Sequence, residues 1–333
     1  MSFFRLIMTG CFLPLFICAQ EGDDGYAILR FPTSSRVNAL GGYSVSIIEA
    51  DPSLVFHNPA LLGGEMSGRV NVNYMNYIAG VNTGSVAFTK AFLERSAWGV
   101  GTTYINYGSM KEMTVDNERL GTFSMQDIGL HAFYSYDLSE KWRGGLSMKA
   151  LYSTIADYYS FGLAVDAGLS YFHAERDLSI GIVLKNIGAQ LKPYEDVRQN
   201  IPWDLQLGVT KRMAHAPLRF SVTAMYLNHW KFNPDDRIST DTGDRFFKTA
   251  LKHLVFGVEF LPSGNLWIGI GLNPKRKMDM AFASGNVLGG FTAGGGIKVS
   301  RFDIGASIAR YHPSATSFMV SVTMALPLPG ISL

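Results

Sequence analysis

The residues that could carry chemistry are sparse in this 333-residue chain. A hydrolytic zinc site would need two histidines one helical turn apart, as in His-Glu-x-x-His, and the seven histidines stand singly. An acyl-enzyme would need Ser-x-x-Lys or a Gly-x-Ser-x-Gly elbow to set a nucleophile beside its base, and neither occurs. Gly289-Gly290 and Gly294-Gly295-Gly296 lack the Gly-Lys-Ser/Thr or Gly-x-Gly-x-x-Gly context of a phosphate loop. They read instead as close backbone approach in or beside a strand. No catalytic, cofactor-binding or metal-binding constellation emerges, so a non-enzymatic role is expected. What does stand out is a set of isolated charges in apolar surroundings, above all Lys149, Asp166 and Lys185.

Elements of β type must position them. Apolar residues alternate with Gly or polar ones in Leu178/Ile180/Ile182/Leu184, Leu254/Phe256/Val258/Phe260, Leu266/Ile268/Ile270/Leu272 and Phe318/Val320/Val322/Met324. Trp203 to Val209 and Leu218 to Tyr226 alternate in the same way. Period two over seven to ten residues marks strands, and weaker repeats bring the count to fourteen. The links alternate between short ones, such as Ser139-Glu140-Lys141, and longer ones: Gly108 to Gln126, Thr154 to Ser160, Gly188 to Pro202, Asn228 to Lys252 and Asn273 to Gly290. That rhythm predicts an all-β, transmembrane, antiparallel up-and-down barrel with periplasmic turns and extracellular loops. A soluble sandwich would place many ions opposite its aliphatic face, whereas here that face is Gly-rich.

Charged residues make up 17% of the chain and the net charge is +2, which leaves no surplus to neutralise the phosphates of nucleic acid. Residues 1–19 read as a cleaved signal peptide, and both cysteines, Cys11 and Cys18, fall within it. The mature chain therefore has neither disulfides nor thiolate ligands. Export and the strand pattern together predict the outer membrane of a Gram-negative bacterium, with outer-membrane lipid around the barrel.

If the aliphatic face meets lipid, the opposite parity lines the lumen: Ser147, Lys149, Asp166, Lys185, Asp204, Gln206, His253, Glu259, Lys298 and Asp303. Reflection through the turn near Glu175 pairs Asp166 with Lys185, and reflection near Asp157 brings Lys149 opposite Asp166. A Lys149, Asp166, Lys185 ladder is expected, either for internal neutralisation or as a selectivity site. Tyr74, Tyr77, Trp98, Tyr104, Tyr134, Tyr136, Trp142, Tyr171 and Trp203 are expected in interfacial girdles. Residues 20–64 are too many for a lead-in, and residues 65–333 form the barrel. Asp51 caps a short helix from Pro52 to His57, which Asn58-Pro59 stops. With apolar Ala60-Leu61-Leu62 behind it, the segment reads as a hatch inside the barrel. Lys275-Arg276-Lys277 reads as solvated loop charge, with contact to lipopolysaccharide as the functional alternative. In the longest loop Trp230, Phe232, Phe246 and Phe247 either cover the mouth or dock a partner protein.

The segment Ala50-Asp51-Pro52-Ser53-Leu54-Val55-Phe56-His57-Asn58-Pro59-Ala60 resembles the Asn-Pro-Ala hatch element of FadL-like fourteen-stranded barrels. More specific are Ala39-Leu40-Gly41-Gly42, Tyr104-Ile105-Asn106-Tyr107-Gly108, Lys185-Asn186-Ile187-Gly188, His215-Ala216-Pro217-Leu218-Arg219-Phe220 and His253-Leu254-Val255-Phe256-Gly257. In order and spacing these are similar to the PorQ family of the type IX secretion system. The resemblance implies a non-enzymatic member of the attachment complex with PorV-like, PorU-like and PorZ-like subunits. That complex trims exported cargo and fixes it to lipopolysaccharide, and the barrel's implied part is to anchor the PorZ-like subunit. It assigns no contact residues. A FadL-like transporter of hydrophobic molecules remains the alternative, and a hatch with few lumen charges argues against a general porin.

Overall fold

A computed structural model of the chain describes residues 25–113, 119–195, 198–230, 242–284, 289–312 and 315–327. Residues 1–19, expected as a signal peptide, and Phe232 lie outside the described residues. Fourteen antiparallel strands close into one barrel in sequence order, and the last pairs with the first. The first half of the circuit comprises β1 (Arg69–Asn76), β2 (Asn82–Phe92), β3 (Ser96–Met113), β4 (Arg119–Asp137), β5 (Trp142–Ile155), β6 (Tyr158–His173) and β7 (Leu178–Lys192). The circuit is completed by β8 (Asp204–Arg212), β9 (Leu218–Ala224), β10 (Leu254–Ser263), β11 (Leu266–Leu272), β12 (Phe291–Val299), β13 (Phe302–His312) and β14 (Ala315–Ala325). Closure leaves no sheet edge facing hydrocarbon, where an unpaired backbone group would cost several kcal/mol.

Parity sorts the side chains as their alternation predicts. Along β5, Leu146 and Met148 are exposed outward while Ser147 and Lys149 are buried inside. Ile268 and Ile270 project outward from β11, with Gly269 and Gly271 on the lumen side. Tyr74, Trp98, Tyr104, Tyr134, Tyr136 and Trp142 are exposed on the outer face. Two of the expected girdle or outward positions are wrong. Tyr77 lies past the end of β1 and packs edge-on against Phe31 and Tyr311. Tyr226, past β9, adopts φ 56° and turns inward to share a hydrogen bond with the Tyr43 hydroxyl at 2.9 Å. Strict alternation holds only while the backbone stays extended, and it fails where a strand turns off.

Three of the long links are shorter than expected, and Gly188 to Pro202 is one of them, since β7 runs on to Lys192. Gly108 to Gln126 is mostly strand: β3 and β4 run 18 and 19 residues, whereas about 9–11 suffice to cross the bilayer. Above Asn106 the register shifts at Gly108, whose φ is +79°, and the hairpin continues beyond its pairing with β2 and β5. No apolar face is needed there, so the sequence shows no alternation. Thr154 to Ser160 contracts to a turn at Ala156 and Asp157, with Ala156 at φ 51°. Two other long links carry helices, α2 (Thr242–His253) and α3 (Pro274–Ser284). His253 thus ends a helix instead of starting a strand, although its side chain is buried as expected.

Residues 25–66 fold inside the barrel. They form helix α1 (Ser35–Ala39) and short 3-10 turns at Ala27–Arg30, Pro52–Phe56, Pro59–Leu61 and Gly64–Met66. The apolar core is built from this segment: Val37, Leu40, Ile47, Leu54, Val55, Leu61 and Leu62 are almost wholly buried, together with Ala87, Ala97 and Phe133 of the wall. Because the outer face belongs to lipid, Ile270→Arg is expected to cost about 2–4 kcal/mol, read by urea-titrated folding into vesicles. An unchanged midpoint would show that β11 does not face hydrocarbon.

Candidate functional site

The hatch is seated by polar caps on its own turns and by glycines in the wall. At Asp51-Pro52 the carboxylate accepts the Ser53 N–H at 3.0 Å, and at Asn58-Pro59 the amide oxygen accepts the Ala60 N–H at 3.0 Å. Proline fixes φ and lacks the donor that a first-turn residue would leave unpaired, so the same pairing starts both turns. Asn58 also donates to the Val45 carbonyl at 2.9 Å, tying two hatch strands of chain together. Around it lie Gly145 of β5, Gly168 of β6 and Gly181 of β7. A Cβ on these would collide with Pro59, the Asn58 amide oxygen and the Val45 carbonyl respectively. The glycine-rich lumen face is the imprint of hatch backbone.

A ring of four charges, three of them buried and Glu49 half-buried, locks hatch to wall. Arg36 of α1 meets Glu259 of β10 at 2.6 Å and Glu49 of the hatch at 3.2 Å. Arg219 of β9 meets the same two carboxylates at 2.6 and 2.7 Å. Burial alone would raise the Glu49 carboxyl, but Arg36 and Arg219 outweigh it and hold it below the usual carboxylate range. Only Glu259 was among the expected lumen residues. Arg219 shares the inward parity of Ser221 and Thr223, yet its partner strand lies beyond the longest loop, so no turn reflection could pair the two.

Lys149 and Asp166 form an ion pair at 2.6 Å, but diagonally. The tight turn between β5 and β6 sets Ser147 opposite Asp166 and Ala164 opposite Lys149, two residues from the expected register. The reflected register from β6 to β7 holds as far as Ala167 and Leu184. There a bulge places both Lys185 and Asn186 across from Asp166, with Asn186 at φ 60°. The Asp166 carboxylate accepts the Asn186 N–H at 2.7 Å, and Lys149 donates to the Asn186 side chain at 2.7 Å. Lys185 instead donates to the Phe56 carbonyl of the hatch at 3.2 Å and lies opposite Asp204. The expected ladder is therefore an ion pair plus a third cation committed to the hatch. His57, buried and close to Lys185 and Lys149, is pulled well below its ordinary pKa. Its neutral Nε2 can accept the Thr33 N–H, 3.4 Å away.

The remaining expected residues fall elsewhere. Lys298 is exposed and Asp303 half-buried at the short-turn end of the barrel, beside cavities of about 520 and 190 Å³ that Arg69 also lines. A cavity of about 30 Å³ beside Lys185 and Asp204 has room for a single water. Trp230 stacks on Phe246 at 6.3 Å, and both are largely exposed together with Phe247. Arg276 is no solvated loop charge: it donates to the Gly41 carbonyl at 3.1 Å and sits 4.2 Å over the Tyr311 ring. Among the described residues no group of His, Cys, Asp or Glu is placed to hold a metal ion.

This closed barrel with an inward N-terminal hatch can be compared with solved structures. It matches the Ralstonia pickettii toluene transporter TbuX with a TM-score of 0.53 at 15% identity, covering 89% of this chain and 97% of that one. The fold is that of the FadL-type channels. A Pseudomonas aeruginosa FadL homologue gives 0.51 at 11% identity over 88% and 98% of the two chains. The CymD monoaromatic hydrocarbon channel gives 0.54 at 12% over 88% and 97%. No family model matches the sequence, and no curated protein matches it.

Two substitutions test the seat. Glu259→Ala leaves two buried guanidiniums to share Glu49 and is expected to cost about 3–5 kcal/mol in denaturant unfolding. Arg143→Ala, which removes a partly exposed pair with Asp137 and Glu65, is expected to cost under about 1 kcal/mol. Equal losses would mean that the ring is no special lock. Gly168→Val is expected to push Asn58 off the wall and raise single-barrel conductance in planar bilayers, and a conductance equal to the parent's would refute the seat.

Proposed function

We propose that this chain is an outer-membrane barrel closed by its own N-terminal segment, and that it acts as a non-enzymatic anchor at the cell surface. The partner it would hold is PorZ-like, within a type IX secretion attachment complex that also contains PorU-like and PorV-like subunits. The observation that carries the reading is the filled interior. Polar groups of the hatch meet several strands of the wall: Ser35 on Ser321, Asn38 on Ser307, Ser46 on Thr210 and the Leu62 carbonyl on Ser135. An anchor needs no open path, only a rigid body in the membrane and loops above it. Sequence segments that run through the chain in PorQ-like order support the choice of complex. Trp230, Phe246 and Phe247 supply exposed aromatic surface of the kind that dominates protein contacts. Phospholipid and lipopolysaccharide are the expected lipid surroundings, and the outward aliphatic belt supports the outer membrane as the location.

A second reading is a FadL-like transporter of small hydrophobic molecules. The comparisons support it more directly than they support anchoring, because the named neighbours are a toluene transporter and a hydrocarbon channel. It would require the hatch to move.

Mild-detergent capture of the tagged protein from its native membrane separates the two. Anchoring predicts stoichiometric recovery of PorZ-like and PorU-like proteins, lost on replacing Trp230, Phe246 and Phe247 with Ser. A lone barrel that carries an apolar small molecule by mass spectrometry would replace anchoring with transport.

A further inference from the structure

The extracellular helix Pro274–Ser284, α3, reaches down to the hatch. Its first turn uses the same device as the hatch turns: Asn273 precedes Pro274, and the Asn273 amide oxygen accepts the Arg276 N–H at 3.1 Å. From that turn Arg276 donates to the Gly41 carbonyl at 3.1 Å, and the Asn273 side chain donates to the same oxygen at 3.3 Å. The guanidinium lies 4.2 Å over Tyr311, whose hydroxyl donates to Asn38 of α1 at 2.6 Å. One ring therefore holds both the loop cation and the hatch helix. Gly41 and Gly42 have φ of +96° and +88°, and a Cβ on Gly42 would lie 2.6 Å from an Arg276 nitrogen. The backbone after α1 is shaped to admit this side chain.

We propose that Arg276 is a pin through which the extracellular loop carrying α3 holds the hatch segment Ser35–Tyr43 in place, so that displacing α3 releases that segment into the lumen. The segment is bracketed by two guanidiniums. Arg36 ties its lower end to Glu259, deep among buried residues, while Arg276 ties its upper end to a surface helix. Only the upper tie can be reached from outside. A molecule that binds α3 and pulls it away shifts the hatch by as much free energy as it gains from the displaced position, and a loosened hatch frees α3 in turn. The pin works under either reading of function: in a transporter it gates, and in an anchor it reports occupancy of the surface to the interior.

The mature chain has no cysteine, so a single reporter can be placed. Ser44→Cys is suitable because Ser44 is buried, follows the pinned segment, and its hydroxyl makes no hydrogen bond. The refolded barrel is treated with a membrane-impermeant maleimide, and folding is verified by heat-shifted mobility in gel electrophoresis. Loss of a charge-assisted hydrogen bond and a cation–π contact predicts that Arg276→Met raises the labelling rate about tenfold. Asn273→Ala is expected to raise it less, and Arg276→Lys to fall between. A folded Arg276→Met barrel that labels at the parent rate overturns the pin. Should that variant fail to fold, Asn273→Ala decides: faster labelling supports the pin and an unchanged rate overturns it.

Discussion

A polar wall shut off from bulk water has to be hydrogen-bonded by something, and in this barrel the partner is the chain's own N-terminal segment. Serines and threonines at inward wall positions find hatch groups: Ser179 donates to the Ser46 carbonyl, Thr89 to Met66, and Thr292 to Ala39 while accepting from Gly41. Each bond adds only about 1 kcal/mol net, but an unpaired buried group costs about 1–3 kcal/mol. The set therefore acts less as glue than as a mould. A hatch displaced by one residue would orphan many groups together.

Charge and glycine sharpen the mould in different ways. Four ions taken out of water repay their desolvation only in good geometry, so the Arg36, Glu49, Arg219 and Glu259 ring stabilises one docked arrangement far above its neighbours. Glycines act by absence, since the hatch backbone occupies volume that side chains of β5, β6, β7 and β11 would otherwise fill. Together they explain how few charges the lumen needs: nearly all of those seen face a named partner.

Much of this was legible in the sequence, and the failures have physical causes. Strand number and lipid face could be read because hydrocarbon enforces strict alternation on every residue it touches. The cap at Asp51-Pro52 was legible because it is local. The ring was not, since it joins four residues whose spacing no turn fixes, two of them in a segment with no repeat. The helix expected from Pro52 to His57 is a 3-10 turn ending at Phe56, and Asn58 stops it only to start the next. Bulges at Gly108 and Asn186 upset register where positive φ interrupts the pleat. Arg276 was misread because a basic triplet in a loop carries no sign of the depth to which one side chain descends.

Closure by β1 against β14 also sets an order of events. The strand that seals the wall, β14, is synthesised after the hatch and after the other thirteen strands. Contacts between sequence positions some 250 residues apart, such as Asn71 with Thr323 and Asn38 with Ser307, form only once β14 is in reach. Long-range pairing of this kind is slow, because the loop entropy is lost before the contacts form. A hatch that lies within the curling sheet before the seam zips would template, through its polar groups, the curvature that later encloses it. On that order, residues 25–66 would bear on assembly yield as well as on the finished barrel.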